Sequence, residues 1–282
     1  VNVAADALMT LAYLGVKAGL VLISADDPHM FSSQNEQDNR YYGKLSGLPI
    51  LEPSSVAEAR QMAAEAFVLS EKLQEPVILR TTTRINHSTG PVTLGELPEA
   101  ISPKGKLEKA PLNYVAVPAV SRKLHSKLLK NLETAQGLSD TSAYNFVQGQ
   151  GTKGVICNGV SYNYVHDAFR ELGAGDAISV LRVGFSNPMP DAIIKPFLQS
   201  MDKVLIVEEG EPYMEEAVKA MAAEAQLVLP IAGKKEGLFS RESELDPVQV
   251  KQRLAEYFDL NWAPPTALDM TDVPEVPQRP PN

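Results

Sequence analysis

Arg40 closes the densest polar run of the chain, Ala25-Asp26-Asp27-Pro28-His29-Met30-Phe31-Ser32-Ser33-Gln34-Asn35-Glu36-Gln37-Asp38-Asn39-Arg40. A guanidinium fork matches a carboxylate bidentately and fixes its angle. Asn35 and Gln37, with Gln34 and Asn39, are amides that could orient that fork or hydrogen-bond the rest of an anionic substrate. The run follows an apolar strand pattern at residues 19–24, and loops leaving the carboxyl ends of strands are where α/β sheets bind ligands. The plainer alternative is a solvated connection in which Arg40 pairs with Glu36 at the surface, an interaction of little energetic weight.

Arg84 and His87 form a second candidate pair just past another strand pattern at residues 76–83, although an isolated histidine is more often structural. Glu208, Glu209 and Glu211 gather beyond a third strand. Three acids could hold a metal, but no neighbouring histidine or further acid completes the set, and a solvated strand end is the expected reading. Cys157 lies among Val155, Ile156 and Gly154 and reads as an inert core residue. No Ser-His-Asp arrangement or paired-carboxylate spacing is visible, and neither GxGxxG nor P-loop spacing occurs.

The elements that must position these groups alternate between strand and helix patterns. In the first half, a short strand at 48–51 precedes a helix that starts with Ser55 and Glu58 in capping-box spacing and runs to about Gln74. The β-branched run Val77-Ile78-Leu79-Arg80-Thr81-Thr82-Thr83 follows. In the second half, strands are expected at 154–158, 178–183 and 203–209, and helices at 160–172, after Pro190 and at 212–224. Gly159 and Gly184 sit where tight turns need a permissive backbone. Between the halves, residues 96–150 read as an irregular linker carrying one helix near 119–135. There Leu124, Leu128 and Leu129 supply the buried stripe, and Lys123, Lys127, Lys130 and His125 a solvated face. Alternation of this kind predicts an α/β fold of two domains with mainly parallel, doubly covered sheets.

Composition narrows the function classes. The chain has 282 residues, 44% of them hydrophobic and 22% charged, with a net charge of −9, as expected of a globular protein with room for two cores. An acidic balance, with a pI near 5.1, argues against a nucleic-acid partner. No apolar run approaches the roughly 18 residues of a membrane helix, and no signal peptide is seen, so a cytoplasmic protein is expected. One cysteine excludes a disulfide framework and any thiolate-built cluster from this chain. Val1 runs straight into a helical pattern, and Pro274, Pro277, Pro280 and Pro281 make a linker-like tail. Both ends look cut, and a piece of a longer polypeptide is expected.

Several segments together resemble the α subunits of indolepyruvate:ferredoxin oxidoreductases. They are Asn2-Val3-Ala4-Ala5-Asp6, Leu8-Met9-Thr10-Leu11-Ala12-Tyr13, Ala25-Asp26-Asp27-Pro28, Ser32-Ser33-Gln34-Asn35-Glu36-Gln37-Asp38 and Thr83-Arg84-Ile85-Asn86-His87-Ser88, with Glu71 and Pro76-Val77-Ile78-Leu79-Arg80. Further along, Gly159-Val160-Ser161-Tyr162-Asn163-Tyr164-Val165, Val204-Leu205-Ile206-Val207-Glu208-Glu209 and Arg279-Pro280-Pro281 extend the resemblance, which is weakest over residues 100–150.

The resemblance implies a thiamine-diphosphate enzyme that converts aryl pyruvates and CoA to aryl-acetyl-CoA and CO2, passing electrons through iron–sulfur clusters to ferredoxin. Residues 1–95 would be the later part of a thiamine pyrimidine-binding domain, and 151–235 a transketolase C-terminal-like domain. Residues 236–282 would be a helix and proline-rich tail leading to a cofactor domain. Arg40 matches the position at which related enzymes hold the substrate carboxylate, and Arg84 to His87 resemble a site-proximal run. Asn35 and Gln37 join them as expected substrate-binding residues. The resemblance also implies a smaller β subunit and an oligomeric enzyme. No catalytic residue, no metal ligand and no tightly bound thiamine diphosphate, Mg2+ or iron–sulfur cluster is expected of this stretch by itself, so alone it should be inactive. A non-catalytic α/β module for subunit assembly is the rival reading. A nicotinamide-dependent reductase is disfavoured by the missing glycine fingerprint.

Overall fold

The computed structural model describes residues 2–95, 109–175 and 177–264; the proline cluster at 274–281 and residues 96–108 of the expected linker lie outside them. Two sheets organise the chain. The first has the order β1 (Val21–Asp26), β3 (Val77–Thr82), β2 (Ile50–Leu51), β7 (Phe185–Asn187), and the second β4 (Asn145–Gln148), β6 (Ile178–Val183), β5 (Lys153–Asn158), β8 (Lys203–Val207), β9 (Ile231–Ala232). Every pairing is parallel except β2 with β7 and β4 with β6. The expected α/β class with mainly parallel sheets therefore holds.

Helices cover both faces of each sheet. In the first, Leu8 and Ala12 of α1 (Ala5–Leu14) and Leu128 of a long later helix pack with Leu48, Ile50 and Ile78, beside α2 (Arg40–Ser46). On the opposite face α3 (Val56–Leu73) sets Met62 and Ala66 against Leu51, Val77 and Leu79. Short α4 (Thr83–Asn86) and α5 (Pro111–Tyr114) lead on to that long helix, α6 (Pro118–Asp140). In the second sheet, α7 (Ser161–Leu172) and α10 (Pro247–Phe258) bury one face and α8 (Asp191–Gln199) with α9 (Tyr213–Glu224) the other. One departure from double cover is β1, at the sheet edge among the described residues, where Ile23 is 66% exposed.

Where structure and sequence pattern part, the cause is local. The described part of the expected linker is largely regular, being α5, α6 and β4. The buried face of α6 is Leu128, Ala135 and Ser139, whereas Leu129 is exposed; His125 stacks on Tyr13 at 5.4 Å. The segment β7 lies inside the expected second domain yet completes the first sheet, with Phe185 packed beside Leu51 and Leu79. Gly159 takes a left-handed turn (φ +48°). Gly184 does not; a Cβ there would lie 2.9 Å from Tyr144 Cβ and from its carbonyl oxygen, so close approach is what requires glycine.

Asn145 fastens the three segments that meet there. Its amide donates to the Ser139 carbonyl at 2.8 Å and to that of Phe185 at 3.2 Å, and its Oδ1 accepts the Gly184 and Phe185 N–H groups at 2.8 and 2.9 Å. Truncation would strand the Phe185 N–H, at about 1–3 kcal/mol, and remove the other amide bonds, while the Gly184 N–H keeps the Tyr144 carbonyl at 3.1 Å. Asn145→Ala is expected to lower the unfolding free energy of this chain by about 3 kcal/mol in urea titrations, well beyond a surface substitution.

Candidate functional site

The carboxyl ends of β1, β2 and β3 meet that of β8 in a dry cluster of charges. Asp26, Arg40, Glu52, Arg80, Glu208, Glu209 and Lys234 are all buried there, as is the side chain of Asp38. Arg40, wholly inaccessible, sits at its centre. Its Nε donates to Asp38 Oδ1 at 2.8 Å and Nη1 to Glu208 Oε2 at 2.6 Å. Nη2 donates to Asp38 Oδ2 and to the Glu209 and Glu211 carbonyls at 2.7 and 2.9 Å. The guanidinium also lies 5.0 Å from the Tyr213 ring.

Arg80 is the second hub. It reaches Asp26 at 2.8 Å and Glu52 at 2.6 Å. Glu52 in turn accepts from Asn158 on β5, tying the sheets together. Glu208 accepts the Met214 and Glu215 N–H groups at 2.9 Å each, so one carboxylate both pairs with Arg40 and caps the positive end of α9. Gly210 (φ +75°) lets Asp38 approach that strand end; a Cβ there would be 2.7 Å from Asp38 Oδ2.

Five carboxyls against three cations cannot all stay ionised cheaply in a desolvated space. Burial would raise Asp38, but Arg40 and Arg80 outweigh it and hold its carboxyl well below the usual range. At Asp26 and Glu208 burial wins and both move up. Burial lifts Glu209 to about 7 against the Leu245 N–H, Arg80 and Lys234.

Outside the sealed cluster the polar loop is accessible. Asp27 accepts the Phe31, Ser32 and Ser33 N–H groups and the Thr83 hydroxyl. Against a small upward push from burial, these bonds hold its carboxyl down at about 2. A crevice of about 50 Å³ runs between Pro28, Glu36, Gln37, Asp38, Gly210, Glu211, Arg241 and Ser243. The larger hollows, of about 410 and 510 Å³, lie around Gly149 near the amino ends of β5 and β6, the opposite ends from those where α/β sheets place ligands.

The expected site residues therefore divide. Arg40 lies inside rather than on an open surface: every guanidinium nitrogen is engaged by acceptors of the protein itself. It does not pair with Glu36, whose carboxylate accepts the His29 and Ser243 N–H groups. Asn35 is exposed and accepts from the Gln37 amide at 2.7 Å. Arg84 is accessible, its side chain 57% exposed, and forms a two-pronged pair with Glu244. His87 is exposed just beyond α4.

The acidic trio is corrected as well. Glu208 and Glu209 are buried and only Glu211 reaches solvent, paired with Arg241. Sequence reading missed Asp26, Asp38, Glu52 and Arg80. The available signal was a charged residue inside a strand whose other positions are apolar or β-branched, as at Arg80.

Removing one partner of a buried pair leaves the others uncompensated, at a cost of about 3–5 kcal/mol. Arg40→Ala is thus expected to destabilise the fold by that order, seen as a large drop in melting temperature, with Arg40→Lys restoring only part. Glu209 has a folded-state value of about 7 against an ordinary 4.5, so folding favours its protonated form. Its contribution is intact below pH 4.5 and is lost as pH rises through about 7, a difference of up to about 3 kcal/mol. Burial lifts Glu75 to about 7 in the same direction. Urea titrations at pH 5 and pH 8 are expected to show stability falling with pH, and a smaller fall in Glu209→Gln.

No family model matches the sequence. Along its whole length the chain is 41% identical to the indolepyruvate oxidoreductase subunit IorA of Methanothermobacter thermautotrophicus, covering 45% of that protein. It is 40% identical to the same subunit of Thermococcus kodakarensis, covering 44% of it. Among solved structures, a 2-oxoglutarate:ferredoxin oxidoreductase from Magnetococcus marinus matches 90% of this chain and 51% of its own, with a TM-score of 0.61 at 15% identity. A split-gene transketolase matches 85% of this chain and 67% of its own, with a TM-score of 0.51 at 13% identity; at such identities these two show the fold alone. The chain is thus similar along its whole length to the indolepyruvate oxidoreductase IorA subunits and spans about 45% of the length of the relatives it matches.

Proposed function

We propose that this chain is a scaffold and substrate-facing part of a thiamine-diphosphate-dependent 2-oxoacid:ferredoxin oxidoreductase acting on aryl pyruvates such as indolepyruvate. In that reaction the carboxyl group leaves as CO2, CoA takes the acyl group to give aryl-acetyl-CoA, and two electrons pass to ferredoxin. The observation that carries this reading is the near-40% identity to indolepyruvate oxidoreductase subunits across the whole chain. Residues 1–95, with β7 added, would serve the pyrimidine-binding domain, and residues 151–235 the transketolase C-terminal-like one. The working enzyme would be a cytoplasmic oligomer with a smaller β subunit.

The residues present do not fit the redox centres. Among the described residues no group of three His, Cys, Asp or Glu side chains is arranged to hold a metal ion, and the single cysteine is buried with its thiol pushed up to about 12. In this reading the clusters, the Mg2+ and the cofactor diphosphate are held elsewhere in the enzyme.

Arg84 is an accessible cation just past β3, and we assign the substrate carboxylate to it, with Asn35, Gln37 and His87 as further substrate-binding residues. Arg84 is 57% exposed although its partner Glu244 is only 15% exposed, so one side of the guanidinium stays open to solvent, where a substrate carboxylate can compete for it. In the complete two-subunit enzyme, Arg84→Ala is expected to lower kcat/KM for the 2-oxoacid about 10- to 100-fold, mainly through KM, with little change in melting temperature. An intact kcat/KM in that variant would move the carboxylate site elsewhere, and an enzyme without 2-oxoacid turnover would favour a non-catalytic assembly role.

A further inference from the structure

The tip of the loop after β1 is held far more firmly than a solvated connection needs. His29 and Met30 are consecutive non-glycine residues in the left-handed region (φ +72° and +54°), a conformation that costs energy unless the surroundings impose it. The surroundings do so here. The Asp27 carbonyl accepts the Met30 N–H at 3.0 Å, while its carboxylate collects the next three N–H groups and the Thr83 hydroxyl. Glu36 accepts the His29 N–H, and His29 Nδ1 lies 2.8 Å from Ser243 Oγ.

What this restraint presents is apolar. Met30 is 47% and Phe31 56% exposed, and the Phe31 ring sits 4.9 Å from that of His29. A loop that served only as a connection would carry glycine or asparagine at 29–30 and polar side chains at the tip. The tip and the cationic fork are anchored to the same segments. Thr83, which anchors Asp27, is followed directly by Arg84, and His29 and Arg84 dock on adjacent residues, Ser243 and Glu244. A guanidinium beside a thioether and a phenyl ring matches a ligand with a carboxylate at one end and an aromatic ring at the other.

We propose that Met30 and Phe31 are specificity-determining residues that receive the aromatic side chain of the 2-oxoacid while Arg84 holds its carboxylate. This rests on the function proposed above. Phe31 offers a ring edge or face and Met30 a polarisable sulfur, both favourable to an aryl group and of little use to a methyl group. The rigidity of the tip means the contact is prepared before the substrate arrives.

The test uses the complete two-subunit enzyme with indolepyruvate and pyruvate as probes. Phe31→Ala is expected to lower the ratio of kcat/KM for indolepyruvate over pyruvate at least tenfold, chiefly through the KM for indolepyruvate, with Phe31→Tyr restoring most of it. Met30→Gly, which suits the left-handed backbone and so keeps the loop, is expected to lower the ratio in the same direction if Phe31→Ala fails to fold. An unchanged ratio in folded variants overturns the inference while leaving the proposed function standing. So would loss of subunit assembly in sedimentation, which would make the tip an interface. Absence of indolepyruvate turnover in the unaltered enzyme overturns both.

Discussion

The bond network of Arg40 is the constraint on which the arrangement rests. A guanidinium with no solvent must find acceptors for its N–H donors inside the protein. Arg40 finds it in Asp38 from its own loop, Glu208 from the end of β8, and two carbonyls just beyond. These partners come from opposite halves of the chain, so the network fixes the carboxyl ends of the two sheets against each other. Arg80 repeats the device through Asp26 and Glu52, and Glu52 extends it to Asn158 on β5. A third arginine, Arg182 on β6, binds Glu58 at 2.6 Å and tethers the start of α3.

A charged joint differs from an apolar one in what it tolerates. Apolar faces slide at small cost when side chains repack, whereas a buried ion pair loses most of its favourable energy once geometry fails. The joint is also unbalanced, with more carboxyls than cations, so it retains protons that exposed acids would release. Groups such as Asp27, Arg84 and Glu36 remain outside the seal.

Much of the secondary structure was legible because periodicity and caps are local signals. Ser55 accepts the Glu58 N–H at 3.2 Å as its spacing suggests, yet the Glu58 carboxylate overshoots to the Ser54 N–H and hydroxyl and to Arg182. No capping rule can see a partner 124 residues away. The same limit explains Arg40. Its type and position mark a polar junction, but whether a guanidinium faces a ligand or two distant acids depends on contacts made by β8. Glu208 and Glu209 read as solvated for the mirror-image reason. The strand β7 was invisible because three residues carry no period.

That short strand bears on how the molecule can be made. Asn187 donates its amide to the Leu48 carbonyl at 2.7 Å, across 139 residues of chain, and β7 supplies the flank of β2. During synthesis the first sheet stays open on that side until the ribosome has passed residue 187, well into the second half. Its early strands emerge with a bare edge, the kind of surface that invites chaperones or wrong partners. The first sheet therefore draws one of its strands from the second half of the chain.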